Sequence, residues 1–84
     1  MFTVELSSNA ENFIKKSDLH IAKRIVEIIE KLKDDPFPSD IKRVVNRREK
    51  LFRVRIGDYR IQYLVFYEKN LIFISDIDKR QRAY

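Results

Sequence analysis

Arg53, Arg55 and Arg60 are the residues of this chain whose type and spacing could do chemistry. They stand in the string LFRVRIGDYRIQYLVF. There Phe52, Val54 and Ile56 alternate with Arg53 and Arg55, and Tyr59, Ile61, Tyr63 and Val65 alternate with Arg60 and Gln62. Alternation with a period of two is strand patterning, with an apolar face and a polar one. Gly57-Asp58 holds the single glycine of the chain. It reads as a two-residue hairpin turn, because glycine reaches positive φ at little cost. That turn sets Ile56 opposite Tyr59, Arg55 opposite Arg60, Val54 opposite Ile61 and Arg53 opposite Gln62. All three arginines then share one face. Like charges across a ladder weaken pairing, so stability alone would not select this arrangement. One exposed arginine is ordinary surface. Three on one face suit an anion, because guanidinium forks match the oxygens of a phosphate.

The next elements bear on that face. Glu68-Lys69-Asn70 reads as a second turn, with Asn70 able to take the left-handed conformation. Leu71 to Ile77 reads as an apolar strand. A three-residue loop pairs Tyr67 with Leu71, which sets Asp76 opposite Gln62 and Asp78 opposite Arg60. Arg80 has the parity of Asp78 and extends the basic face. The two carboxylates would orient the guanidinium groups and lessen their repulsion. As plain surface ion pairs they would contribute little. The same register puts Leu51, Leu64, Phe66, Ile72 and Ile74 on this face, further from the Gly57 turn. Such an apolar patch is expected to be covered, by the 39–49 segment or by a partner chain.

The charge distribution agrees with an anionic partner. Residues 1–38 hold 6 basic and 7 acidic side chains, and residues 39–84 hold 12 and 6, so the net charge of +5 arises wholly in the half with the hairpin. Such asymmetry points to RNA or DNA. A basic amphipathic helix with aromatic anchors, which would favour an anionic membrane, is not seen in the sequence. Without cysteine there is no disulfide framework and no cysteine metal site. His20, the single histidine, has no second ligand near it in sequence and reads as surface or structural. No apolar run reaches the roughly 18 residues of a membrane span, and no signal-peptide pattern opens the chain, so a cytoplasmic protein is expected. A length of 84 residues fits one domain, 1–84, with a small core.

The elements that must carry the hairpin follow from local patterns. Phe2, Val4 and Leu6 alternate with Thr3 and Glu5, which predicts a short strand. Ser8 and Glu11 form a capping-box pattern that opens a helix over 9–16, with Ala10, Phe13 and Ile14 inward. Ser17-Asp18 can cap a second helix over 18–33. Its inward stripe is Ala22, Ile25, Val26, Ile29 and Leu32, widened by Ile21 and Ile28. Pro36 and Pro38 end it. Residues 39–49, SDIKRVVNRRE, lack clear periodicity. With Lys50 they supply Lys42, Arg43, Arg47, Arg48 and Lys50, either as a solvated connection or as secondary phosphate contacts. The order β-α-α-β-β-β predicts a small α+β domain, an antiparallel sheet with two N-terminal helices packed on one face.

The order of elements, the string LFRVRIGDYRIQY, the apolar strand after it and the ending IDKRQRAY together resemble the RelE/ParE toxin superfamily, most closely its RelE branch with the archaeal RelE-like toxins. The resemblance spans nearly the whole chain. The pattern R-x-R-x-G-x-Y-R-x-x-Y and the terminal K-R-x-x-A-Y carry it, and residues 1–49 match by pattern only. It implies a RelE-like fold and an mRNA interferase of a type II toxin–antitoxin pair. Such a metal-independent endoribonuclease enters the ribosomal A site and cuts mRNA by attack of a ribose 2′-OH on the adjacent phosphate. Carried over by position, Arg53 and Arg55 fall on the family's paired basic residues and Arg60 on its arginine after the glycine turn. Arg80 falls on the C-terminal basic residue, and Tyr84 on the terminal tyrosine with Arg82 beside it. No cofactor is implied. The implied partners are a RelB-like antitoxin, the ribosome and mRNA. Some members carry a lysine where this chain has Arg55. Arginine keeps its proton, so the implied chemistry here is electrostatic. A ParE-like gyrase-inhibiting toxin, or a nucleic-acid-binding domain without catalysis, is the alternative.

Overall fold

A computed structural model describes residues 1–36, 41–43 and 51–79, the middle segment as backbone only. In chain order the elements are β1 (Thr3–Leu6), α1 (Ser8–Lys16), α2 (Leu19–Asp34), β2 (Ile41–Arg43), β3 (Leu51–Ile56), β4 (Tyr59–Phe66) and β5 (Leu71–Lys79). The strands form one five-stranded sheet in the order β1-β5-β4-β3-β2. The α+β arrangement with two helices on one sheet face is the expected one. Two details differ. β1 lies parallel to β5, so the sheet is mixed rather than wholly antiparallel. Part of the 39–49 segment, expected as a connection, is strand β2, paired antiparallel with β3. Three residues without alternation give no strand signal by themselves; β3 supplies the hydrogen bonds that make them one.

The core lies between the helices and one face of the sheet. Ala10, Ile25, Ile29 and Leu32 meet Val54, Ile56, Ile61, Tyr63, Val65, Ile72, Ile74 and Ile77. Phe13, Ile14, Ile21 and Ile28 pack against its margin. Val26, expected inside, is 45% exposed. The sheet takes the side of α2 that carries Ile21 and Ile28 and leaves the Val26 side outward.

The start of α1 differs by one residue from the capping-box reading. Ser7, not Ser8, is the cap: its backbone is extended, and its hydroxyl accepts from the Ala10 N–H at 3.1 Å. The same hydroxyl donates to the Ser75 carbonyl at 2.8 Å. Ser7 directly follows β1, so one side chain both satisfies an orphan helix donor and ties α1 to β5. Glu11 instead pairs with Lys15 one turn on, at 3.3 Å. The far end of α2 is held from two sides. The Phe2 N–H donates to the Lys33 carbonyl at 2.9 Å. Just past the helix, the buried Tyr63 hydroxyl donates to the Pro36 carbonyl. Burial, then the negative charge of Asp35, then Tyr67, push the Tyr63 phenol well above its ordinary value.

The turn between β4 and β5 corrects the expected loop. Tyr67–Lys69 form a single 3-10 turn, and Asn70 sits at φ 54°, ψ 44° in the left-handed region, as its type allows. Phe66, not Tyr67, pairs with Leu71, so the loop is one residue longer than expected. From there to Tyr63↔Ile74 the ladder runs one step off the anticipated register. Ile72 and Ile74 therefore lie in the core, fully buried, and not in the apolar patch on the arginine face. Leu71 and Phe73 take their places beside Leu64 and Phe66. A bulge at Ser75 then restores the expected pairing, and Gln62↔Asp76 and Arg60↔Asp78 hold. An extra residue in one strand of an antiparallel pair has this effect. The Ser7 hydroxyl donating to the Ser75 carbonyl, and the Ser75 hydroxyl donating to the Gln62 carbonyl at 3.2 Å, fix the bulge in place.

Candidate nucleic-acid-binding site

The hairpin is as its residues dictate. Ile56 pairs with Tyr59 across a two-residue turn, and Gly57 holds φ at 57°. Positive φ at the first turn position only is the type II′ arrangement, which glycine serves without strain. The register Arg55↔Arg60 and Arg53↔Gln62 follows. Val54, Ile56, Ile61 and Tyr63 are buried on the helix side, which leaves Arg53, Arg55 and Arg60 on the opposite face. Arg55 is exposed, whereas Arg53 and Arg60 are half-buried.

β5 adds carboxylates to that face. Asp78 lies directly across from Arg60. The Arg60 Nε–H donates to Asp78 Oδ1 and its Nη2–H to Asp78 Oδ2, both at 3.1 Å. Asp76, two residues earlier, accepts a hydrogen bond from the Asn9 side-chain amide. Each acid thus has a different partner, and α1 reaches the site through Asn9. Arg60 stands between the like charge of Arg55 on one side and the opposite charge of Asp78 on the other. With three guanidinium groups and two carboxylates, this patch keeps a net positive charge.

The other expected site residues divide into two groups. In β2, the register aligns Lys42 with Arg53 and Arg43 with Phe52, so the parity of the ladder puts only Lys42 in step with the arginines. Arg47, Arg48, Lys50, Arg80, Arg82 and Tyr84 lie outside the described residues. β5 runs to Lys79, paired with Tyr59. Two contacts had no sequence signal. Asn9 is one. The other is Arg24 of α2, whose guanidinium nitrogens would lie 3.9 Å from a Cβ built on Gly57. Both depend on how the helices lie across the sheet. One surface hollow, of about 320 Å³, lies apart from the arginines and is lined by Phe13, Lys16, Ser17, Asp18, Ile21 and Tyr59. Among the described residues no three potential metal-ligating side chains gather together.

A family model described as the ParE toxin of the type II toxin–antitoxin system parDE matches residues 4–84. A Methanocaldococcus jannaschii protein named as a toxin, RelE1, is 37% identical over 86 residues, which cover 99% of this chain and 94% of that protein. The chain belongs to the RelE/ParE family of toxins of type II toxin–antitoxin systems. Solved structures share the fold. RelE in the archaeal RelE–RelB complex of Pyrococcus horikoshii superimposes with a TM-score of 0.86, at 24% identity and 98% coverage of both chains. A chain of the Mycobacterium tuberculosis toxin–antitoxin complex RelBE2 gives 0.80, at 25% identity, covering 94% of this chain and 98% of that one. The family model bears the ParE name while these relatives bear RelE names. The RelE/ParE fold therefore carries the arginine face described above. No helix among the described residues is long and apolar enough to cross a membrane.

Proposed function

We propose that this RelE/ParE-family chain is a ribosome-dependent mRNA endoribonuclease, acting as one domain over 1–84 in the cytoplasm and held inactive by a RelB-like antitoxin. The observation that carries the reading is the gathering of Arg53, Arg55 and Arg60 on the sheet face away from the helices, with Lys42 in step. A face built for stability alone would separate these charges.

The chemistry this arrangement supports is transesterification. A ribose 2′-hydroxyl loses its proton to solvent as its oxygen attacks the adjacent phosphorus in line, and the bond to the 5′-oxygen breaks. A 2′,3′-cyclic phosphate forms, and the departing 5′-oxygen takes up a proton. Negative charge builds on the phosphoryl oxygens in the transition state. Fixed guanidinium groups stabilise that charge more than the ground state, which is the source of rate. Holding the 2′-oxygen in line supplies a further part. Arg55 stays protonated and serves as a cation, not as a base. Arg80 and Tyr84 complete the proposed catalytic set, with Arg80 on the phosphate and Tyr84 stacking on a base or sharing a proton. Lys42, Arg47, Arg48, Lys50 and Arg82 add sequence-independent phosphate contacts. The antitoxin partner is supported by the relatives, which were solved as RelE–RelB and RelBE2 complexes.

Primer extension on a translated message, with and without ribosomes, tests the reading. Wild type is expected to cut only when ribosomes are present, and Arg60→Ala to lose the cuts with its fold retained. The ParE name of the matching family model favours a second reading, a gyrase-inhibiting toxin. DNA breaks that depend on gyrase, with the message intact, would establish that reading and overturn the first.

A further inference from the structure

We propose that Asp78 is a positioning residue: it grips the Nε–Nη2 edge of Arg60 so that the Nη1–Nη2 end faces the phosphodiester. This rests on the reading that the arginine face takes RNA, and adds which edge of which guanidinium does so.

A guanidinium carries five N–H donors: one on Nε and two on each terminal nitrogen. The two 3.1 Å bonds to Asp78 use the Nε–H and one Nη2–H. Both Nη1 hydrogens and the second Nη2 hydrogen remain. That end of the group is itself a fork, spaced to meet two oxygens of a phosphate. Carboxylate and phosphate therefore occupy different edges and do not compete. The remaining freedom of Arg60 is rotation of its long side chain, and the clamp removes it. The direction is also set, because Arg55 repels Arg60 from β3 while Asp78 draws it toward β5.

The support behind Asp78 is stiff. Its register depends on the bulge at Ser75, fixed by the hydroxyls of Ser7 and Ser75, and its neighbour Asp76 is held by Asn9. Stability accounts for only part of the pair: its side chains are 25% and 40% exposed, and opposite charges across a ladder contribute about 0.2–1 kcal/mol. Attraction for a polyanion does not explain the rest, since a carboxylate here subtracts from the positive field. Alignment is the property the acid improves, and the cost is general affinity.

The test reads those two properties separately in Asp78→Asn and Asp78→Ala. Binding of a single-stranded RNA oligonucleotide is expected to tighten, with a salt slope steeper by about 0.7 for one added phosphate contact. Ribosome-dependent cleavage at saturating ribosome is expected to slow by about 10- to 100-fold, the scale of a misplaced reacting group. Opposite movement of affinity and rate is the signature of positioning, and thermal melting checks that both variants fold. Equal loss of both, or no change in either, overturns the proposal. A second readout does not need catalysis. In wild type the Arg60 Nε–H resonance is expected to exchange slowly, and to stay protected when RNA is added. Release of the Nε–H by RNA would show that Asp78 competes with the phosphate, and would overturn the proposal. Absence of cleavage by wild type, with the Nε–H still protected on RNA, would overturn the nuclease reading and leave the positioning intact.

Discussion

Replacing Tyr63 with phenylalanine removes one oxygen atom from the centre of the fold. Tyr63 has no exposed surface, and its ring lies 5.8 Å from that of Phe52. Its hydroxyl donates to the Pro36 carbonyl, where the chain leaves α2. The ring and its packing survive the change, so the cost is polar. Losing the donor leaves the buried Pro36 carbonyl unsatisfied, which costs about 1–3 kcal/mol, centrally about 2. For a domain of this length, about 2 kcal/mol lowers Tm by roughly 8–16 °C. Urea denaturation followed by circular dichroism measures it, with an unchanged m-value showing that the native state keeps its compactness. A pH series supplies a second, independent arm. Burial keeps the folded phenol protonated above its ordinary value of 10.0, while the unfolded chain loses the proton there. Above that pH the unfolded state binds fewer protons, so this group's contribution is full below pH 10 and declines as pH rises toward the raised native value. The advantage of wild type over Tyr63→Phe should shrink by about 1.4 kcal/mol on reaching pH 11. A variant as stable as wild type at neutral pH, or a gap that stays constant above pH 10, would refute the reasoning.

Two further outcomes follow from the hairpin. Gly57→Ala should destabilise by about 1–2 kcal/mol, the cost of a left-handed backbone for an L-residue. The nearest atoms to its new Cβ are the Arg24 guanidinium nitrogens at 3.9 Å, so the loss is conformational and not steric; thermal melting that shows no loss would contradict the positive φ. Arg55→Gln should relieve the repulsion across the ladder and raise stability by about 0.2–1 kcal/mol. The same change should lower the salt slope of single-stranded RNA binding by about 0.7. Opposite signs for stability and binding would show that the arginine is kept for its ligand; loss of both would mean that Arg55 is structural.

Much of the fold was legible because it is local. The alternation around Arg53, Arg55 and Arg60 and the single glycine at position 57 determine a hairpin with its register, since a two-residue turn leaves no freedom in the pairing. The spacing of Ile25, Ile29 and Leu32 determines a helix and its inward side. The string from Leu51 to Tyr63 carries the family likeness for the same reason: its residues define strand, turn and charged face together.

What only the tertiary structure decided involves elements distant in the chain. The loop after Phe66 is one residue longer than its turn residues suggested, and the bulge at Ser75 compensates. Two offsetting shifts left the acids opposite the expected partners while turning Ile72 and Ile74 into the core. Period-two alternation cannot locate such a step, because a bulge changes parity without changing residue type. What stabilises it is a hydroxyl 68 positions away, on Ser7. Asn9 reaches Asp76 in the same way, and β1 pairs with β5, more than 60 positions on in the chain. Composition and spacing describe what each segment prefers by itself. Which edge of Arg60 is held, and by which carboxylate, arises from hydrogen bonds between segments that come together only when the core closes.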